Sequence, residues 1–218
     1  MSLFTELESG LTESLPSSDL SSIMSEYDII AIGASAGGLE PLRQLVAGLP
    51  SGFAAAVFIV WHVSPSHTSL LPQILQLDGK LPVAHAQNGE PIQSGRIYVA
   101  PPDYHLLIED GCVRLNHGPK ENHSRPSIDA LFRSAAEVYG ERVIGVVLTG
   151  MLFDGTAGLI AIKRNGGIAI VQDPAEAEYP SMPTSAIGHD HPDYVLPIAQ
   201  IAEQLRRLVQ GESHASAK

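Results

Sequence analysis

The sequence predicts an α/β fold, a doubly wound, mostly parallel sheet flanked by helices, with an inserted β-hairpin region. Residues 53–61 and 142–150 are unbroken apolar runs, which is typical of parallel strands buried on both faces. Segments with apolar residues at helical spacing alternate with these runs, which indicates crossover helices between strands. Because such crossovers bring the carboxyl ends of the strands to one edge, we expect functional residues there.

The first strand and the first helix are joined by a glycine-rich turn. Residues 27–32 (YDIIAI) form a β-branched apolar run that ends in GASAGG at residues 33–38. Ser35 lies at the apex of the turn, in a G-x-S-x-G pattern whose glycines permit the backbone angles that expose a hydroxyl. Helical spacing begins at Leu39 and stops at residues 50–52 (PSG).

A strand, a helix and a short strand come next. Residues 53–61 form the second strand, which ends at His62. A helix is predicted over residues 67–77, despite Pro72 in its first turns. Residues 82–85 form a short third strand.

The middle of the chain is predicted to be the inserted β region. Residues 95–100, 106–108 and 113–115 are short apolar segments, and Asp110-Gly111 provides a turn between the last two. The pattern predicts short strands and a hairpin.

The remaining chain returns to helices and strands. Pro126 opens an amphipathic helix, followed by a strand over residues 142–150, a helix over 159–164 and a strand over 167–172. Ile128, Leu131, Phe132, Ala135 and Val138 form the apolar face of the first of these helices.

The last part of the chain is predicted to contain a loop and a helix. Residues 176–184 are predicted as a loop because prolines lie nearby. Val195 precedes a final helix over residues 198–208.

The composition excludes several classes of function. The 218 residues suit one domain, and a net charge of −11 with a pI near 5.1 disfavours binding to nucleic acid or to anionic membranes. No run reaches the length of a membrane span, so membrane insertion is not expected. The acidic, serine-rich start lacks the regions of a signal peptide, which predicts a cytoplasmic protein.

Three polar side chains follow three different strands of the predicted sheet, namely Ser35, His62 and Asp154. A serine, a histidine and a carboxylate at one edge are the components of an acyl-transfer triad, with Ser35 as nucleophile and His62 as general base. Ser35 could instead contact a phosphate in a dinucleotide-binding turn, but that fold needs an acidic residue where Trp61 and His62 stand. His67 is a rival base, and Asp154 could cap the helix that follows it.

No metal site is predicted. His189, Asp190 and His191 are adjacent in a predicted loop, and adjacent loop residues seldom point at one ion. The single cysteine, Cys112, has only Arg114 as a basic neighbour, which disfavours a reactive thiol. The remaining histidines lack ligand spacing: His85, His105, His117 and His123.

Five segments of the chain match one family pattern. They are GASAGG at residues 33–38, His62 after the second strand, RPSID at residues 125–129, LTGMLFDGTAG at residues 148–158, and Met182-Pro183. Together they are specific, and the chain resembles the catalytic domain of the chemotaxis protein-glutamate methylesterases, the CheB-type methylesterase family. The amino-acid sequence in these regions is most similar to the methylesterase part of fused methylesterase–methyltransferase proteins and to free-standing relatives.

The resemblance implies a serine hydrolase that removes methyl groups from glutamate γ-methyl esters on chemoreceptor helices, and that often deamidates receptor glutamines as well. No cofactor is implied, and the expected partners are methylated cytoplasmic helices of chemoreceptors. Residues 26–210 would be the catalytic domain, with a disordered extension at residues 1–25 and a flexible tail at residues 211–218.

The resemblance also implies roles for single residues. Ser35 is implied as nucleophile, His62 as general base and Asp154 as the orienting carboxylate. Apart from the resemblance, residues 176–184, which include the family-matching Met182 and Pro183, are expected to form one wall of the substrate cleft.

Two backbone N–H groups are expected to stabilise an oxyanion. In a nucleophile elbow the residue after the serine supplies one of these groups, which here is Ala36, and the family match implies Met151 as the other. The family more often has threonine at the position of Ala36, so a side-chain hydrogen bond is lost here while the backbone donor remains.

A second departure concerns control of the site. Familiar members carry an N-terminal phosphoacceptor receiver domain, and the segment before Tyr27 is too short to form one. The expectation is therefore an enzyme without that regulator. Two other functions stay open at this point, a non-catalytic module that binds receptor helices and a nucleotide-dependent oxidoreductase, which would bind NAD(P).

Overall fold

Seven parallel strands form the central sheet of the computed structural model, which describes residues 28–62, 68–189 and 191–211. The strands of this sheet are β1 (Ile29–Ala34), β2 (Ala56–Trp61), β3 (Val83–His85), β4 (Ile97–Val99), β7 (Val143–Val147), β8 (Ile168–Gln172) and β9 (Tyr194–Leu196). Between β4 and β7, β5 (His105–Glu109) and β6 (Cys112–Asn116) pair as a separate antiparallel hairpin.

Helices cover both faces of the sheet. They are α1 (Leu39–Gly48), α2 (Leu71–Asp78), α3 (Ile128–Tyr139), α4 (Thr156–Arg164), α5 (Ser181–His189) and α6 (Ile198–Val209). A 3₁₀ turn at Gly140–Arg142 follows α3. Apolar residues of α1, α2 and α6 pack on one face of the sheet, and those of α3, α4, α5 and the hairpin pack on the other.

The order of the strands places a switch point beside β1. The order is β3-β4-β2-β1-β7-β8-β9, so the chain builds outward from β1 through β2 and then returns to build outward from β7. In open α/β sheets, ligands bind in the crevice that such a reversal leaves at the carboxyl ends of the strands.

Residues of β1 show why the sheet is buried on both faces. All six residues of the strand are buried, and side chains alternate between the two cores because successive residues of a strand point in opposite directions. Ile29 and Ala31 lie in the core beneath α3, whereas Ile30 and Ile32 lie in the core beneath α1. The unbroken apolar run of the sequence therefore has no polar face to expose.

The predicted α/β architecture is confirmed, but two strands differ from the prediction. The segment at residues 95–100 was assigned to the inserted region, whereas β4 lies in the main sheet between β3 and β2. Val195 lies in β9, a strand of three residues that the sequence analysis did not predict. Both strands are too short for their apolar pattern to distinguish them from loops or hairpin strands.

Two further predictions are wrong in detail. Residues 176–184 were predicted as a loop, but α5 begins at Ser181, with Pro183 in its first turn, where a missing N–H costs no helical hydrogen bond. Val138 was placed on the apolar face of α3, and it is 38% exposed.

The structure leaves some predictions untested. Residues 1–27, 63–67, 190 and 212–218 lie outside the described ranges, so the extension, the tail, His67 and Asp190 remain predictions. None of the helices in the described ranges combines the length and the apolarity needed to cross a bilayer.

Candidate active site

Strand register brings Ser35 and His62 side by side. Ala34 pairs with Trp61 in the parallel ladder of β1 and β2, and the next residue on each strand is Ser35 and His62, respectively. The backbone N–H of His62 donates to the carbonyl of Ala34 at 3.2 Å, so the register continues past the strand ends.

The side chains of Ser35, His62 and Asp154 form one hydrogen-bonded row. Nδ1 of His62 lies 3.1 Å from Oγ of Ser35, and Nε2 of His62 lies 2.9 Å from Oδ2 of Asp154. The carboxylate can only accept from Nε2–H, which leaves the lone pair of Nδ1 facing the serine hydroxyl. This tautomer is the one that can accept the proton of Ser35.

Backbone donors surround the Asp154 carboxylate. Its Oδ2 accepts from the N–H of Ile128 at 2.8 Å, and its Oδ1 accepts from the N–H of Asp129 at 3.1 Å and from Ser127 Oγ at 3.0 Å. These donors form the first turn of α3, where the helix dipole favours a negative charge. Asp154 was considered as a cap of the helix that follows it, but its main backbone partners belong to α3.

The environment of Asp154 holds it in the ionised form. Burial alone would raise the pKa of the Asp154 carboxyl, but the hydrogen bonds and charge from His62, the amide of Asn122 and the N–H of Ile128 outweigh it. The pKa of Asp154 is therefore lower than its usual value. An ionised carboxylate next to His62 can stabilise an imidazolium.

A second buried carboxylate, Asp129 on α3, accepts hydrogen bonds from the start of α4, as Asp154 does from the start of α3. Asp129 lies in the first turn of α3, and its Oδ1 accepts from the N–H groups of Gly155 at 3.0 Å and Gly158 at 2.6 Å at the start of α4. Burial raises the pKa of Asp129, and the charge of Asp154 adds to this. The start of α3 therefore binds Asp154, which lies just before α4, and the start of α4 binds Asp129, which lies in α3.

Close packing of α3 against Gly33 of β1 allows the start of α3 to reach Asp154. A Cβ on Gly33 would lie 2.3 Å from Cγ2 of Ile128, the residue whose N–H binds Asp154. Any side chain on β1 at this point would push the start of α3 away from the sheet.

The turn after β1 differs from a strained nucleophile elbow. Gly37 has a φ of +70°, and Ser35 is not among the non-glycine residues with positive φ. Glycine therefore takes the left-handed conformation that the tight turn needs. The indole N–H of Trp61 donates to the carbonyl of Ser35 at 2.8 Å, which fixes the serine backbone from the side of β2.

Thr149 and Gly150, just after β7, hold the turn against the chain before α5. The hydroxyl of Thr149 lies 3.2 Å from the carbonyl of Ala36 and accepts from the N–H of Tyr179 at 2.9 Å. Gly150 N–H donates to Tyr179 O at 2.9 Å, and Met182 N–H donates to Gly150 O at 3.0 Å.

Met182 and Pro183 do not lie on the surface of a cleft. Both are buried, and Met182 is fully enclosed behind Gly150. Neither side chain contributes surface to a cleft, because the start of α5 turns both into the core, and a wall formed by residues 176–184 stays a prediction. Tyr179, which is 37% exposed, is a residue of the same segment that reaches solvent.

Gly150→Ala is expected to lower activity and stability together. The new Cβ would lie 2.1 Å from Sδ of Met182, which is fully buried, and 2.8 Å from Cβ of Ser35. We expect a loss of about 1–3 kcal/mol in the free energy of unfolding and, from displacement of Ser35, about 10²-fold in kcat. Urea unfolding and ester hydrolysis measure the two effects.

Gly188→Ala is the matched control for that substitution. Gly188 lies in α5, and a Cβ there would meet nothing within 4 Å. Helix propensity predicts a gain of up to about 1 kcal/mol and unchanged turnover. Equal behaviour of the two variants would contradict the packing argument at Gly150.

Two backbone N–H groups near Ser35 have no protein acceptor in the described part of the chain. They belong to Ala36, in the turn, and Met151, which follows Gly150. Unpaired donors beside a nucleophile are suited to bind a developing oxyanion.

Three exposed apolar residues adjoin the site. Met151, Leu152 and Phe153 are 56%, 57% and 50% exposed, and they separate Gly150 from Asp154. Leu152 has a φ of +66°, a conformation that costs a leucine about 1 kcal/mol or more. Strain of this kind is retained mostly at functional sites. We call residues 151–153 the apolar ridge.

A cleft opens on one side of the apolar ridge. Its volume is about 360 Å³. Phe153, Ala157 and Ile160 supply apolar surface, and Asn122, Asp129, Thr156, Ser185 and His189 complete the lining.

Three residues of the site, Asn122, Asp129 and Thr149, were not predicted from the sequence. Asp129 was noted only as part of RPSID, although an aspartate in the first turn of a helix is a known capping signal. Thr149 lies inside the family-matching segment at residues 148–158, which was the available signal, whereas nothing in the local sequence around Asn122 distinguishes it from an ordinary loop residue. Among the described residues, no group of three or more His, Cys, Asp or Glu side chains is arranged to hold a metal ion.

Comparisons with known proteins agree on one family. The family model described as CheB methylesterase matches residues 30–205. A protein of Leptospira interrogans serogroup Icterohaemorrhagiae serovar copenhageni is 45% identical over 185 residues, which cover 84% of this chain and 96% of that protein. It is named a protein-glutamate methylesterase/protein-glutamine glutaminase, with a provisional qualifier.

Longer relatives and a solved structure give the same result. Protein-glutamate methylesterase/protein-glutamine glutaminase 2 of Methanosarcina mazei is 39% identical over 191 residues, and the match spans 52% of its length. The crystal structure of the Thermotoga maritima CheB methylesterase catalytic domain superimposes with a TM-score of 0.80 at 37% identity, covering 84% of this chain and 99% of that one.

Proposed function

The chain belongs to the CheB methylesterase family, and on that premise we propose that it is a protein-glutamate methylesterase that uses Ser35, His62 and Asp154 for acyl transfer. The observation that carries the proposal is the row of hydrogen bonds from Ser35 Oγ through both ring nitrogens of His62 to Asp154. A structural serine at a strand end has no need of an oriented histidine and a buried carboxylate behind it.

The first half of the proposed reaction forms an acyl-enzyme. Ser35 Oγ attacks the carbonyl carbon of a glutamate γ-methyl ester while Nδ1 of His62 takes the hydroxyl proton. The N–H groups of Ala36 and Met151 bind the oxyanion, and Asp154 offsets the positive charge on the imidazolium. His62 then donates the proton to the methoxy oxygen, and methanol leaves.

The second half regenerates the enzyme. His62 removes a proton from a water molecule, the resulting nucleophile attacks the acyl carbon, and Ser35 leaves with the proton. The product is a glutamate carboxylate, which the net charge of −11 disfavours near the protein. A glutamine side chain would react by the same steps with ammonia as the leaving group, in line with the glutaminase activity in the names of the relatives.

The apolar ridge supports a protein substrate. A γ-methyl ester is small, yet the ridge that follows Gly150 exposes three successive apolar side chains and adjoins a cleft that Phe153 and Ile160 help to line. Exposed apolar surface of this kind marks interaction sites. We propose that one apolar face of a methylated chemoreceptor helix packs on the ridge and that the enzyme acts in the cytoplasm.

Phe153→Ser is expected to raise KM for a protein substrate and to leave small-ester hydrolysis unchanged. The phenyl ring is half exposed, and losing its contact with a partner typically costs about 1–3 kcal/mol, or roughly 5- to 150-fold in KM. Steady-state kinetics with methylated receptor fragments and with p-nitrophenyl acetate measure the two effects. Equal losses on both substrates would contradict a docking role.

Leu77→Ser provides the control for removal of an exposed apolar side chain. Leu77 is 86% exposed near the end of α2, which runs back from the carboxyl edge of the sheet toward the opposite edge. KM for the receptor fragment should not change.

Methanol release tests the function directly. The full-length protein is incubated with methylated cytoplasmic fragments of chemoreceptors, and a fluorophosphonate probe is used in parallel to label Ser35. We expect methanol and a labelled serine. Labelling and small-ester hydrolysis without methanol would overturn the receptor assignment, and absence of both would favour a non-catalytic binding module.

A further inference from the structure

Asn122 joins two buried carboxylates that come from different elements. Its side-chain nitrogen donates to Oδ2 of Asp129 at 2.6 Å and to Oδ1 of Asp154 at 2.7 Å. An amide nitrogen carries two hydrogens, so these contacts use both. Asp129 and Asp154 are 4% and 3% exposed, and carboxylates this close repel strongly in a medium of low dielectric constant.

Asn122 lies in a tight turn next to the carboxylates of Asp129 and Asp154. Glu121 N–H donates to Ser124 O at 3.1 Å, and Ser124 N–H donates back to Glu121 O at 2.8 Å, which closes a two-residue hairpin loop. Asn122 and His123 at its centre have φ of 49° and 65°, as a type I′ turn requires. Asparagine tolerates this conformation better than most residues.

Charged and titratable groups approach the pair from several elements. Arg133 on α3 binds the Glu121 carboxylate, which ties the turn to the helix, and it also places a positive charge near Asp129. His62 faces Asp154 from the end of β2. His189, at the end of α5, lines the cleft beside Asn122.

We propose that Asn122 is a positioning residue, whose amide keeps the Asp154 carboxylate ionised and directed at His62 in the presence of the second carboxylate, Asp129. The inference rests on the proposed function of the Ser35 site. Asn122 has no contact with Ser35, so it acts through Asp154. The reciprocal binding of Asp129 and Asp154 to the starts of α4 and α3 brings the two charges together, and the shared amide compensates for their proximity.

Asn122→Gly is the appropriate variant because glycine accepts the left-handed backbone and removes only the amide. Asp154 then loses a donor that favours its anion, so its pKa should rise. We expect kcat for p-nitrophenyl acetate to fall by about 10- to 100-fold, KM to stay unchanged, and the acid limb of the pH–rate profile to move upward. Asn122→Asp, which adds a third carboxylate, should be more impaired than Asn122→Gly at pH 8.

His123→Gly is the matched control, since it changes the other central residue of the turn and His123 is exposed. It should retain wild-type kcat and pH profile. If Asn122→Gly lowers only the melting temperature and leaves kcat and the acid limb unchanged, Asn122 has a structural role and the proposal is wrong.

A titration that needs no turnover separates this proposal from the proposed function. Carboxyl ¹³C NMR follows the protonation of Asp154 in the wild-type protein and in Asn122→Gly. The proposal requires a higher pKa for Asp154 in the variant, even if the wild-type protein hydrolyses no ester. An unchanged pKa overturns it, whereas missing hydrolysis with a raised pKa overturns only the enzymatic assignment.

Discussion

Ser35→Ala is expected to abolish ester hydrolysis, with kcat reduced by about 10⁴- to 10⁶-fold. Alanine removes the oxygen that lies 3.1 Å from Nδ1 of His62, and no acyl-enzyme can form without it. The fold should not change, because the backbone hydrogen bonds of Ser35 with Thr149 O, Gly38 N and the Trp61 indole do not involve its hydroxyl. Initial rates with p-nitrophenyl acetate and labelling by a fluorophosphonate measure the loss.

Ser94→Ala is a suitable control for that experiment. Ser94 is an exposed residue that precedes β4, at the amino edge of the sheet and away from the proposed site. This variant should keep wild-type rates and labelling. Labelling of Ser35→Ala at the wild-type level would place the reactive group elsewhere and would end the assignment of Ser35.

Asp154→Asn is expected to lower kcat by about 10⁴-fold. An amide nitrogen in the place of Oδ2 would donate to Nε2 of His62 and would favour the tautomer that carries its proton on Nδ1, where it cannot accept from Ser35. The amide also cannot offset the imidazolium charge. Rates measured with a small ester avoid any contribution from receptor docking.

The same substitution should lower stability in a pH-dependent way. The N–H of Ile128 would face the new amide donor, and an unsatisfied buried donor costs about 1–3 kcal/mol. Because the pKa of Asp154 is lowered in the folded protein, its stabilisation is complete above the unfolded value of about 3.9 and is lost as the pH falls through the lower folded pKa. The stability difference between wild type and Asp154→Asn should therefore be larger at pH 6 than at pH 2.5, by urea unfolding.

These two readouts separate catalysis from helix capping. Asp154 accepts hydrogen bonds from the first turn of α3 and from His62, so both roles are built on one carboxylate. Wild-type turnover in an Asp154→Asn variant with reduced stability would show that Asp154 is only a helix cap. A large loss of kcat at a temperature where the variant remains folded would support the proposed triad, whatever the loss of stability.

Much of the fold followed from apolar patterns of adequate length. The runs at residues 53–61 and 142–150 were predicted as strands buried on both faces, and β2 and β7 lie at the centre of the sheet. Short elements were not recognised, since β9 contains three residues and β4 was placed in the wrong region. Three residues cannot establish a periodicity, so only pairing with a neighbouring strand identifies them.

For the candidate site, the residue pattern alone was enough to predict that Ser35, His62 and Asp154 follow strands that share one edge, because right-handed parallel connections bring the carboxyl ends of the strands together. Three contacts became visible only in the folded chain: the Asp154 carboxylate binds the start of α3, Asp129 binds the start of α4, and the Asn122 amide donates to both carboxylates. The burial of Met182 behind Gly150 is likewise a property of the folded chain. These contacts join residues that are distant along the chain, and their energies depend on burial and on hydrogen-bond geometry, neither of which a local pattern of residue types encodes.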